Sequence, residues 1–117
     1  MEKLNNSKEK LQPAIHPYEA TFKLLKSGSE KIKRDLRKSR RIRFCGEAEI
    51  AREHLNITLK SIPDSPKVGH IQLLAVAIRN VVFLLDQTQK DFHSKEFMRI
   101  REYAENLLEE AWENIPR

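Results

Sequence analysis

Little in this 117-residue chain cross-links or punctuates the backbone: one cysteine, three glycines and five prolines. A lone cysteine, Cys45, excludes an intramolecular disulfide and fits a reducing, cytoplasmic setting. Sparse glycine and proline, with 33% charged and 39% apolar residues, favour a helical protein. At this length the expectation is a single domain with one core. No stretch alternates with a period of two, and no internal repeat is visible.

Long hydrophobic runs are also lacking. The longest, IQLLAVAIRNVVFLL from Ile71 to Leu85, carries Arg79 and Asn80 at its middle. A bilayer-spanning helix needs about 20 largely apolar residues, so this segment reads as a core helix and a membrane partner is disfavoured. The opening residues MEKLNNSKEKLQ hold no apolar segment of the kind a secretory leader requires.

Motifs for chemistry are missing as well. His16, His54, His70 and His93 are scattered, with no HExxH pattern and no His-Cys pair at ligand spacing, so neither a metal nor another cofactor is expected. No local pattern supports a nucleophile with its base, and the chain is not expected to be an enzyme. Cys45 sits among arginines, which would depress the pKa of an exposed thiol. Its position beside Phe44, where apolar patterning begins, points instead to a small buried side chain.

What the chain does have is cationic charge in one place. KIKRDLRKSRRIR, residues 31–43, holds Lys31, Lys33, Arg34, Arg37, Lys38, Arg40, Arg41 and Arg43 against one acid, Asp35. That segment nets +7, so the rest of a chain with formal charge +5 sums to −2. The asymmetry says more than the total. A solvated helix face normally intersperses Glu four residues from Lys or Arg; here repulsion has to be tolerated or relieved by a partner. Five of the eight cations are arginines, whose planar fork suits phosphate oxygens. The sequence therefore points to nucleic acid, DNA or RNA, gripped through its phosphate backbone with release of counterions. The run has no Asn or Gln for adenine and no interleaved aromatic, so contact is expected to be indifferent to sequence. The alternative is a protein-interaction module that docks an acidic partner and binds no nucleic acid.

The coarse layout is an all-α bundle of three long helices plus one short N-terminal helix, spanning 16–117 behind a flexible polar arm at 1–15. Pro17 suits the first turn of the short helix, which carries Tyr18, Phe22 and Leu25 and stops at Ser27-Gly28. Ser29 then caps a long second helix to Ile62, with a break near Gly46 as the alternative. One stripe on it runs Ile32, Leu36, Ile50, Ile57, interrupted by Ser39 and Arg43; a second starts at Phe44 and continues through Ala48, Ala51, Leu55, Leu59 and Ile62.

Ser65 and Pro66 open the third helix, apolar nearly all round and so expected to have neighbours on several sides. Its narrow polar strip holds Gln72, Arg79 and Asp86, with Glu102 or Glu105 of the last helix as candidate partners for Arg79. Val76 and Phe83 flank that strip and are expected to form an exposed patch for a protein partner or a second copy. The fourth helix starts near Ser94 and buries Phe97, Ile100, Ala104, Leu107, Leu108 and Ala111.

Overall fold

The computed structural model describes residues 16–40, 42–91 and 93–116. The arm at 1–15, Arg41 and the Phe44 side chain fall outside that description. The protein is all-α. Four α-helices follow one another, α1 (Glu19–Lys38), α2 (Gly46–Lys60), α3 (Val68–Asp91) and α4 (Lys95–Ala111), with short 3-10 turns at His16–Tyr18, Ile42–Phe44 and Trp112–Asn114. Each helix packs on its neighbours in the order α1–α2–α3–α4, and α4 closes back on α1.

The division between the first two helices differs from the favoured sequence expectation and matches its alternative at one end, a break near Gly46, where α2 begins. Instead of a short helix ending at Ser27-Gly28 and a long one from Ser29 to Ile62, α1 runs unbroken through Ser27-Gly28-Ser29 and ends at Lys38. Gly28 is buried, and a Cβ there would overlap the Leu107 methyls of α4. The glycine permits close approach of two helices, which outweighs its poor helix propensity.

The break falls where the apolar stripe fails. After Leu36, a continued helix would place Ser39 and Arg43 against the core. The chain instead goes extended at Ser39 (φ −64°, ψ 128°) and turns through Ile42–Phe44. Cys45, buried, then caps α2. Glu47 and Glu49 lie in the first turn of α2, where the helix dipole favours acids.

Because α2 is a separate helix, it sets its own phase. Ala48, Ala51, Leu55 and Thr58 point inward, joining Leu25, Ile32 and Leu36 of α1. Ile50 and Ile57, expected to continue the Ile32–Leu36 seam, face solvent instead.

α2 closes where Ser61 returns its N–H to the Ile57 and Thr58 carbonyls and its hydroxyl to Thr58 O at 2.7 Å, just before Pro63. α3 begins at Val68, two residues beyond the expected Pro66. His70 Nδ1 accepts the Lys67 N–H at 2.8 Å, so the ring supplies the cap in place of Ser65.

Ile71, Leu74, Ala77, Ile78, Val81 and Leu85 of α3 form the centre of the core. The expectation of neighbours on several sides holds for that face only, since Leu73, Val76 and Phe83 stay exposed. By length and composition alone, Val68–Lys90 is apolar enough to cross a membrane, which exceeds the span inferred from the fifteen-residue run. α4 forms as expected, with Ser94 Oγ accepting the Phe97 N–H at 3.2 Å. It buries Phe97, Ile100, Ala104, Leu107 and Ala111, while Leu108 is half-buried.

Candidate nucleic-acid interface

The expected single basic helix over 31–43 is not present: the cations are distributed over the last two turns of α1 and the turn that follows. Lys31, Lys33, Arg34, Arg37 and Lys38 ride on α1, and Arg40 and Arg43 lie in the turn. Arg41 lies outside the described residues. Ile32 and Leu36 are fully buried and anchor this stretch, so the cations between them are held outward by the core.

Among the described cations of the run, one is matched by an internal carboxylate. Lys31 Nζ donates to Asp35 Oδ2 at 2.8 Å and lies 5.0 Å from the centre of the Tyr103 ring. Its pKa is raised above the ordinary lysine value, first by that hydrogen bond and then by the charge of Asp35. Among the described residues, Lys33, Arg34, Arg37, Lys38, Arg40 and Arg43 form no ion pair; the acids that are paired serve other residues, with Glu19 on Lys23, Glu53 on Arg52, and Asp86 and Glu105 on Arg101.

Folding the chain back at Ser39–Cys45 turns part of this charge into a groove of about 670 Å3 between α1 and α2. Lys33 and Arg37 line one wall, and Ile42 and Arg43 close one end. Glu49, Arg52, Asn56 and Lys60 supply the other wall. Five cations thus converge against one acid. Arg34, Lys38 and Arg40 are exposed outside the groove.

Sequence reading missed the α2 wall. Its signal was available: residues 49, 52, 56 and 60 repeat at three- and four-residue spacing and so share a face. A guanidinium or ammonium on each side of an open channel, with a polar Asn56 between, can hold consecutive anionic groups of an extended polymer.

Apolar side chains are exposed elsewhere on the described surface. Val76 and Phe83 are exposed as expected, at 56% and 51%, and four other large apolar side chains join them: Ile50 and Ile57 (59% each), Leu73 (49%) and Trp112 (46%). Arg79, expected to pair with Glu102 or Glu105, lies instead with its guanidinium carbon 5.8 Å from the Trp112 ring centre. Beside it, Gln72 Nε2 donates to Pro116 O at 2.7 Å, and these residues with Ala75, Val76, Leu108 and Ile115 line a shallow apolar cleft. The Glu105 carboxylate is held by Arg101 at 2.7 Å, one helical turn away, which leaves Arg79 to the aromatic ring.

Cys45 is buried, with its Sγ 3.9 Å from Glu47 Oε2. The His54 ring is engaged with Asn80 at 2.9 Å across the α2–α3 seam. No family model matches the chain, and neither a curated protein nor a solved structure is significantly similar to it.

Proposed function

We propose that this protein is a non-enzymatic, nucleic-acid-associated accessory protein, a small helical-bundle scaffold that holds a phosphate backbone in the α1–α2 groove without reading its sequence. The observation that carries the reading is the shortage of internal partners. Six of the cations in 31–43 have no carboxylate of their own among the described residues, and the fold adds Arg52 and Lys60 to the same groove. Like charges gathered on two facing walls repel one another. A polyanion removes that repulsion and gains the entropy of released counterions. The arginines can fork onto phosphate oxygens, while the lysines act as point charges.

The experiment is a titration of fluorescent DNA and RNA, single- and double-stranded, at several salt concentrations. If four to six phosphates are neutralised, log K against log[salt] falls with a slope of roughly −3 to −5. The triple variant R37Q/R43Q/R52Q should flatten that slope by roughly 2 to 3 while helicity is retained. Undiminished affinity in that variant overturns the assignment of the groove.

One observation favours a second reading, an acidic protein segment in the same place. Ile42 lines the groove, and an apolar contact is of use to a side chain rather than to a phosphate. Failure of every nucleic acid to bind at low salt would leave that reading in place of the first.

A further inference from the structure

Six large apolar side chains are exposed among the described residues, on α2, on α3 and at the end of α4. The hydrogen bond between His54 and Asn80 fixes how α2 and α3 run past each other. Counting outward from that pair along antiparallel helices, Ile50 lies level with Leu84, next to Phe83, and Ile57 level with Ala77, next to Val76, with Leu73 one helical turn further along α3. Ile50 and Ile57 are seven residues apart, as are Val76 and Phe83, so each pair lies on one line along its helix. Val76 and Trp112 then share the cleft on the α4 side, which carries the apolar surface across a third helix. Apolar side chains thus flank the His54–Asn80 bond on α2 and α3 and extend to the end of α4.

We infer that this surface is the contact between two copies of the chain, related by a two-fold axis running along the helices. Area is the first argument. Six large side chains, each about half exposed, present on the order of 600 Å2 of apolar surface, at the upper end of what a monomer normally leaves uncovered. With a polar border it approaches the roughly 800 Å2 per partner of a stable interface.

Charge is the second argument. In the order α1–α2–α3–α4, α3 stands across from α1, so the α3 part of this surface, which carries Leu73, Val76 and Phe83, lies apart from the cationic end of α1. Two copies joined here keep their basic grooves apart, whereas an acidic partner would be drawn to the grooves and not to a surface with so little charge.

The border residues choose the orientation. Glu53 and Arg79 lie near the level of the His54–Asn80 bond, Glu53 beyond the two isoleucines and Arg79 on the α4 side of Val76. A two-fold axis along the helices sets the α2 edge of one copy against the α4 edge of the other. Arg79 of each copy then meets Glu53 of its mate, and the contact is made twice. Each assembled pair carries two grooves on opposite outer sides, so it can bridge two polyanion segments.

Sedimentation velocity on the full chain, freed of nucleic acid by nuclease and high salt, tests this independently of any polyanion binding. The expected species has twice the 13.8 kDa chain mass. The variant V76E/F83E should dissociate at least roughly thirty-fold more readily, with unchanged circular dichroism because both side chains are already exposed. E53R and R79E should each weaken the pair, and E53R/R79E should recover it. A wild-type monomer at high micromolar concentration overturns the inference, whether or not it floats with lipid vesicles. So does a dimer that survives V76E/F83E, or one weakened by both single reversals and not recovered in the double variant.

Discussion

Gly28 offers the sharpest check on the packing that positions the cationic end of α1. Replacing it by alanine removes a helix-interior glycine, which in isolation would stabilise α1 by about 0.8–1 kcal/mol. The new methyl, however, would occupy the place of the Leu107 methyls, and Leu107 is buried on α4 between the two helices. Leu107 can yield only by leaving its rotamer or by separating α1 from α4, and such overpacking costs about 1–3 kcal/mol. The net expectation for G28A is a loss of about 1 kcal/mol, or a melting temperature lower by roughly 4 °C in a domain of this size.

The sign should invert when the obstacle is removed. L107A alone should cost about 2–5 kcal/mol through lost burial and a cavity. Adding G28A to L107A should then stabilise the protein by about 1 kcal/mol, since only the propensity gain remains. Chemical denaturation of the four proteins gives a double-mutant cycle with a coupling of about 2 kcal/mol. A G28A protein more stable than wild type, or effects that add to within about 0.5 kcal/mol, would refute the close-approach account.

Other expectations follow from single contacts. S94A removes the hydroxyl that accepts the Phe97 N–H and should destabilise by about 1 kcal/mol in thermal melts. D35N frees the Lys31 ammonium from its partner, so nucleic-acid affinity should rise and the salt slope steepen by roughly 0.7–0.9. K31A, which removes a cation already matched, should change affinity less than R37A does, as read by fluorescence anisotropy. L55A, at a fully buried position on α2, should cost about 2–5 kcal/mol in urea unfolding.

The inward faces of α3 and α4 were legible because each carries an uninterrupted apolar stripe with a start signal nearby. Ser94, near which the last helix was expected to start, takes its N-cap position. The first half of the chain was harder to read, for a reason visible in its residues. Ser27-Gly28-Ser29 has the composition of a helix stop, but what decides its conformation is Leu107, nearly eighty residues away in sequence. Conversely, the true break at Ser39–Cys45 contains neither glycine nor proline. It is set by the polar residues Ser39 and Arg43 at the next core-facing positions after Leu36, while Ile42 and Cys45 reach the core only once the chain turns.

Half of the candidate groove was visible as a charge run. The other half, Arg52 and Lys60, lay in ordinary-looking polar positions of α2 and joined it only because the chain reverses. The exposure of Ile50 and Ile57 follows from the same reversal, since a straight helix would have kept them in line with Leu36.

That reversal has a practical consequence for anyone shortening the protein. A synthetic fragment covering Lys31–Arg43 would retain every positive charge of the run, yet it would lack the opposing α2 wall and the core that buries Ile32 and Leu36 and so aims those charges outward. Such a fragment is a loose polycation rather than a shaped channel. Comparing it with the intact chain separates attraction due to charge alone from whatever the folded geometry contributes.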